Sequence, residues 1–286
     1  MQVVLISGLS GSGKSIALNV LEDAGYYCID NLPAPLLFDL VSYLRGEGQE
    51  RVAVAIDMRG GASIAALPPQ LRRLATEGIT PRFVFLDTRD DILIRRFSET
   101  RRRHPLSSDG FKAGDDVTLE EAIGREREAL ELLASIGHRI DTSHLLPNAL
   151  RAFVRDFVLL DTPQGMTLLF ESFGFKHGIP LDADLVFDVR CLPNPHYDPV
   201  LRPLTGRDAE VIAFLAAEAE VQRMEDDIAR FVADWLPGYA RDNRVYLTVA
   251  IGCTGGQHRS VYLAEKLAAR FRGQANVLVR HRNVAA

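Results

Sequence analysis

The chain has 286 residues, with 47% apolar and 25% charged, the balance of a soluble globular protein with room for two domains of ordinary size. No apolar run approaches the ~18 residues that cross a bilayer, and Met1 leads directly into an apolar strand without a secretory leader, so no membrane role and a cytoplasmic location are expected. A net charge of −5 gives the whole molecule no electrostatic footprint for nucleic acid, although Arg259 to Arg282 holds six Lys/Arg against one acid, Glu265.

In chain order, Val3 to Ile6 reads as a buried strand and Ser15 to Ala24 as the helix after it. Tyr26 to Ile29 is a short strand that ends at Asp30, followed by a helix from Pro35 to Leu44. Val52 to Ile56 is a strand ending at Asp57, and Pro69 to Glu77 a helix. Arg82 to Leu86 is a strand ending at Asp87. A basic helix then runs from Asp91 to Arg103, a mixed helix from Glu120 to Ser135, a strand from Ile140 to Thr142 and a helix from Leu146 to Phe157. Strands separated by helices imply an α/β fold with a parallel sheet covered on both faces. Three strands ending in Asp line carboxylates along the edge where such sheets bind ligands.

The character changes near residue 160, which divides the chain into domains 1–159 and 160–286. Strands resume at Met166 to Phe173 and Leu185 to Val189, and prolines crowd 192–199. Arg207 to Trp235 reads as one helix, with Val221, Met224, Ile228, Phe231 and Trp235 on one face. Val245 to Ile251 is a strong strand, Gly252 to Gly256 a loop and Val261 to Phe271 a helix, so the second domain is also α/β. Cys28, Cys191 and Cys253 have neither disulfide nor metal spacing.

Gly8-Leu9-Ser10-Gly11-Ser12-Gly13-Lys14-Ser15 matches the phosphate-binding P-loop, with a buried strand before it and a helix after it. Its glycines let backbone N–H groups face phosphate oxygens, Lys14 supplies a point charge, and Ser15 a hydroxyl ligand for Mg²⁺. ATP or GTP is the expected occupant. Asp57 and Asp87 compete for the role of the acid that organises the metal, and the sequence does not rank them. The arginines at 95, 96, 101, 102 and 103 suit a lid over phosphates, because the guanidinium fork binds two oxygens at once. Asp30 stands where a small kinase could place a substrate-orienting group, but no acceptor pocket is recognisable.

A second loop, Gly252-Cys253-Thr254-Gly255-Gly256-Gln257-His258-Arg259-Ser260, lies between strand and helix and contains Cys-x5-Arg-Ser, the spacing of cysteine-dependent phosphatases. Thr254, Gly255 and Gly256 are expected to offer amides to an anion at a helix N-terminus, with Arg259 neutralising it. Phosphate binding, phosphatase chemistry and a bare structural turn remain open, and no catalytic acid is identifiable. His196, between prolines, reads by itself as structural.

Taken together these segments resemble the RapZ family of RNase adapter proteins, also described as P-loop nucleotide-binding proteins of the YvcJ type. The matching pieces span nearly the whole chain: Gly8–Ser15, Tyr26–Pro33, Arg95–Leu106, Ser172–Gly178, Phe187–Arg190, Pro193–Pro199 and Gly252–Ser260. The resemblance implies a kinase-like first domain that binds ATP and GTP with at most weak hydrolysis, its GTP-contacting segment falling on Asp57, Met58, Arg59 and Gly60. It implies a second domain that binds glucosamine-6-phosphate through His196, Thr254, Gly255, His258 and Arg259. A regulatory protein partner and a homo-oligomer are expected with it. In one branch of the family the second domain also binds small RNAs through a strongly basic C-terminal extension. Here the chain ends Arg280-His281-Arg282-Asn283-Val284-Ala285-Ala286, short and mildly basic, and RNA affinity falls steeply with the number of phosphate contacts. The competing expectations are a small-molecule kinase and an RNA-binding adapter.

Overall fold

The computed structural model describes residues 1–57, 64–101, 103–107, 117–159, 166–241 and 246–284. The chain divides into two compact units, Met1–Val158 and Leu159–Ala286. Among the described residues no helix is long and apolar enough to cross a membrane.

The first unit is built on β1 (Gln2–Gly8), where Val3, Val4, Leu5 and Ile6 are all buried. An unbroken run of β-branched and leucine side chains is what a strand needs when helices cover both faces. Around β1 lie β2 (Tyr27–Ile29), β3 (Arg51–Ala55), β4 (Arg82–Asp87) and β5 (His138–Asp141), all parallel, in the order β2-β3-β1-β4-β5. The helices are α1 (Lys14–Asp23), α2 (Leu37–Gly46), α3 (Leu67–Thr76), α4 (Asp90–Thr100), α5 (Leu119–Ile136) and α6 (Pro147–Leu159). A P-loop that leaves the central strand of a five-stranded parallel sheet makes this unit kinase-like in fold. The basic helix stops three residues sooner than its sequence suggests, at Thr100, because Arg101 takes a left-handed conformation with φ 51°. Thr118 begins α5 with a capping box, its hydroxyl accepting from the Glu121 N–H while the Glu121 carboxylate accepts from the Thr118 N–H.

The second unit holds a four-stranded parallel sheet, β7-β8-β6-β9, made by β6 (Thr167–Gly174), β7 (Leu185–Asp188), β8 (Tyr246–Cys253) and β9 (Asn276–His281). Its helices are α7 (Ala209–Ala216), α8 (Ala219–Arg241) and α9 (Arg259–Phe271). Every residue of β6 is buried, and α9 packs its inner face with Val261, Leu263, Ala264, Leu267 and Phe271. Two differences from the sequence reading stand out. The single helix expected over Arg207 to Trp235 is two, broken where the Gln222 side chain donates to the Ala216 carbonyl at 2.7 Å and so caps α7. Its expected apolar face is also rotated: Val221, Ile228, Ala229 and Val232 are buried, whereas Phe231 and Trp235 are exposed.

β9 had no counterpart in the sequence reading, which took this segment for a basic tail. Arg280 and Arg282 are instead buried beside Glu171 and Asp182, with Arg280 Nε 3.2 Å from Glu171 and Nη1 3.1 Å from Asp182. His281 lies between Ser172 and Glu265. Of the six cations from Arg259 to Arg282, three are therefore inside the fold, and Arg270 is paired with Asp226 on the surface.

Two glycines give a check on this packing. A Cβ at Gly8, where φ is 143°, would sit 2.2 Å from the Leu86 carbonyl oxygen, whereas one at Gly124, inside α5, meets nothing within 4 Å. Gly8→Ala should destabilise the protein by about 1–3 kcal/mol, since neither backbone can yield. Gly124→Ala should stabilise it by about 0.5–1 kcal/mol through helix propensity alone. Urea unfolding of both variants checks the pair, and equal effects would show that the β1–β4 approach is looser than described.

Candidate functional site

Each unit presents a tight loop between a buried strand and a helix at the carboxyl edge of its sheet. In the first, Leu9 is fully buried and anchors the P-loop, while the Ser12 N–H returns to the Leu9 carbonyl at 3.0 Å. The Lys14 ammonium lies over the loop, 2.7 Å from the Gly8 carbonyl oxygen and 3.2 Å from that of Leu9. Ser12 Oγ is buried without a hydrogen-bond partner among the described residues.

Contrary to the simplest picture of a ring of amides facing one ligand, the Ser10 N–H is taken by the protein. It donates to Glu126 Oε2 at 2.9 Å, and the Ser10 hydroxyl donates to Oε1 at 2.7 Å. His104 Nε2 is 3.0 Å from the same carboxylate. Burial would raise the Glu126 pKa, but His104, the Lys14 charge and the two Ser10 donors outweigh it and hold the group below its ordinary value. Sequence reading missed both Glu126 and His104. The available signal was a carboxylate on the apolar stripe of α5, in phase with the buried Ala122, Ile123, Leu130 and Leu133.

The structure separates Asp57 from Asp87. Asp57, just past β3, lines a cavity of about 410 Å³ together with Ser10, Lys14, Ser15, Asp30, Arg96 and Arg103. Asp87 is 1% exposed and held elsewhere: it accepts from Arg127 Nη1 at 2.9 Å, from Arg139 Nε at 2.7 Å and Nη2, and from the Thr88 N–H. Two arginines on one buried carboxylate make a structural node. The cavity also supplies the pocket beside the P-loop that the sequence did not reveal.

The arginine-rich segment divides its work. Arg96 braces the P-loop, donating to the Gly11 carbonyl at 3.0 Å and the Thr142 carbonyl at 2.7 Å, while Thr142 Oγ1 donates to the Ser12 carbonyl at 2.8 Å. Arg103 lines the cavity; Arg95 is exposed near Glu99. Arg102 lies outside the described residues, as do Met58, Arg59 and Gly60. The hard oxygen donors of Ser15 and Asp57, sharing one cavity with Lys14, are a set suited to Mg²⁺.

The second loop starts where β8 ends, and its register fixes its neighbours. Gly252 pairs with Asp188 at the end of β7, so the chain leaving β7 passes beside the loop. There the carbonyls of Arg190 and Leu192 both accept from Arg259 Nη1, at 2.8 and 2.9 Å. Arg259 Nη2 is 3.4 Å from Thr254 Oγ1, and Nε, in a residue 4% exposed, has no partner among the described residues. One nitrogen is thus fixed to backbone while Nη2 reaches the loop at Thr254. Gly256 has φ 72°, and a Cβ there would come within 2.4 Å of Asn283 Oδ1 and 2.6 Å of the Gly174 nitrogen.

Two expectations about this loop change. The Gly256 N–H donates to Cys253 Sγ at 3.2 Å, leaving Thr254 and Gly255 as the loop's outward residues. His258 is buried with Nε2 3.1 Å from the Leu201 carbonyl, so it ties the loop to its neighbour. His196 is exposed, its N–H donating to Asn194 Oδ1 at 3.3 Å. Burial pushes the Cys253 thiol up. The Ser260 hydroxyl, the N–H groups of Ser260 and Gly256 and the Arg259 charge outweigh it and bring the pKa below its ordinary value.

Comparison with known proteins matches both halves. Residues 1–162 match the RapZ-like N-terminal domain and residues 166–285 the RapZ C-terminal domain. The chain belongs to the RapZ family. Close relatives include nucleotide-binding proteins of Azoarcus sp. (strain BH72), 66% identical over 285 residues covering 100% of this chain and 96% of the relative, and of Nitrosomonas europaea, 61% identical over 286 residues covering 100% and 97%. Among solved structures, shikimate kinase from Acinetobacter baumannii is similar at 16% identity and TM-score 0.38, over 57% of this chain and 96% of that one.

Two histidines of the second unit, His258 buried and His281 partly buried, give a pH signature. Burial lowers the pKa of His258 and of His281 from 6.5, the latter despite Glu265. Below that value the unfolded chain binds more protons than the folded one, so stability falls as pH falls, until the lowered folded pKa values are passed. The thermal midpoint should drop between about pH 7.5 and about pH 5.5, and less so in His258→Gln, whose amide can still donate to Leu201. A midpoint that rises on acidification would contradict the burial of neutral imidazoles.

Proposed function

We propose that this RapZ-family protein is a nucleotide-binding regulator that binds ATP or GTP with Mg²⁺ at the P-loop and senses a phosphorylated amino sugar, glucosamine-6-phosphate, at the second loop. On this reading it works as a homo-oligomer through a regulatory protein partner. The observation that carries it is the buried Arg259 at a helix N-terminus, its Nε without a partner among the described residues and its Nη2 reaching Thr254 of the loop. A buried guanidinium N–H without an acceptor is destabilising, and a phosphate oxygen supplies the charge-assisted bond that relieves it. Thr254 and Gly255 would add backbone amides, and the exposed His196 would meet the sugar.

At the P-loop, Ser15 and Asp57 would hold Mg²⁺, Lys14 the outer phosphates and Arg103 the lid side of the same cavity. The metal would neutralise phosphate charge. Binding of RNA through the C-terminal segment is disfavoured because Arg280 and Arg282 are buried in ion pairs. The pocket lined by Asp30 favours a second reading, phosphoryl transfer to a small hydroxyl-bearing acceptor.

Isothermal titration separates these. Lys14→Ala should weaken ATP and GTP, and Arg259→Lys should weaken glucosamine-6-phosphate by about 10- to 100-fold, the loss of one charge-assisted hydrogen bond, with each variant leaving the other ligand untouched. Unchanged affinities would remove the loops from the account. Nucleotide turnover of ~1–100 per second with an added acceptor would decide for the kinase.

A further inference from the structure

Cys253 has no part in binding as described above, yet an N–H donates to its sulfur and a hydroxyl lies beside it. Sγ accepts the Gly256 N–H at 3.2 Å and lies 3.1 Å from Ser260 Oγ, a residue 0% exposed on the first turn of the 13-residue α9. Strand register sets Cys253 at the end of β8, opposite Gly174, at the base of the loop whose rim is Thr254 and Gly255. Arg259 reaches the same loop, Nη2 3.4 Å from Thr254 Oγ1, with Nε unpartnered among the described residues, and a Cβ at Gly255 would stand 3.8 Å from Lys176 Nζ. A sulfur, a hydroxyl, a helix N-terminus and two cations therefore meet where a phosphoryl group would sit.

Binding alone does not call for the donors on sulfur. A bound anion gains from amides, from Arg259 and from the helix end, whereas N–H and O–H groups aimed at a thiol favour its ionised form, the nucleophile. We propose that Cys253 is a phosphoryl-accepting nucleophile, acting on phosphate monoesters seated on Arg259. The thiolate attacks phosphorus; the S–P bond forms as the ester P–O bond breaks, and the leaving oxygen departs with the bonding electron pair. Water then attacks the cysteinyl phosphate, breaking the S–P bond, releasing orthophosphate and a proton, and returning the thiolate to its Ser260 and Gly256 donors. This step rests on the anion-binding reading of the loop.

The neighbouring carboxylates limit the substrate class. Asp188, at the end of β7, is held ionised first by its hydrogen bonds from Arg190, and Asp208 first by the Thr205 N–H and then by its hydroxyl. A carboxylate kept ionised does not protonate a leaving group near neutral pH. Esters whose leaving oxygen is stable as an anion, such as aryl phosphates, are therefore the substrates. An alkyl ester such as a sugar phosphate needs a proton on the leaving oxygen and stays bound. The same loop thus cleaves an activated ester and only senses the metabolite.

The test uses the full chain with p-nitrophenyl phosphate at neutral pH, alongside titration with orthophosphate. Wild type should release p-nitrophenol, and rapid acid quench followed by mass spectrometry should find phosphate on Cys253. Cys253→Ser should abolish release while still binding orthophosphate, which shows that its loop is intact. Arg259→Lys should lower release by at least ~100-fold, the scale for removing one transition-state donor. Orthophosphate binding without p-nitrophenol release would overturn the nucleophile and leave the sensor standing. Failure of both would overturn the two together. Release that persists in Cys253→Ser would place the chemistry elsewhere and also overturn the proposal.

Discussion

One side chain organises the second half of this molecule: Arg259, buried, with a single nitrogen fixed by the carbonyls of Arg190 and Leu192. Burying a guanidinium is unfavourable unless its charge and its N–H groups are met. Two carbonyls meet part of that demand and orient the rest toward the loop. Gly252 beside Asp188 in the sheet register brings those carbonyls within reach, and the fully buried β6 holds the sheet that makes the register possible. Gly256 must remain glycine because Gly174 at the end of β6 and Asn283 in the segment after β9 press against it. The loop's shape is thus set by strands on both sides of β8.

The first unit obeys the same constraint with different partners. Its loop also leaves a buried strand and enters a helix, and Gly8 is fixed by the Leu86 backbone as Gly256 is by Gly174. Here a carboxylate, Glu126, takes the Ser10 N–H and hydroxyl, and His104 joins it from the segment after α4. Arg96 and Thr142 hold the carbonyl side of the loop. Both loops are therefore held from outside by hydrogen bonds to their backbone, which fixes their geometry before any ligand arrives. Pre-organisation of this sort lowers the ordering penalty on binding.

What the sequence made legible was local. The P-loop, the Cys-x5-Arg-Ser loop and the alternation of strands and helices all lie in consecutive residues, and their order dictates a parallel sheet. What it hid depends on residues distant in the chain. Asp57 and Asp87 end equally apolar strands, and only Arg127 and Arg139, some forty and fifty residues beyond Asp87, draw that carboxylate away from the cavity. β9 was invisible because Arg280 and, just past the strand, Arg282 look like a solvated tail until Glu171 and Asp182 are placed beside them. Glu126 broke the apolar stripe of α5, a local signal with a distant meaning. The break between α7 and α8 turns on one side-chain cap, Gln222, within an otherwise continuous helical pattern.

The central claim is that the Arg259 Nε–H awaits a phosphate oxygen. Nitrogen-15 correlation spectra of the full chain, with arginine side chains labelled, observe that group directly during titration with glucosamine-6-phosphate and, as a control, glucosamine. The account predicts that the Arg259 Nε–H resonance, identified by its loss in Arg259→Lys, shifts and saturates with the phosphorylated sugar and stays still with the unphosphorylated one. A resonance that responds to neither, or to both alike, would contradict it.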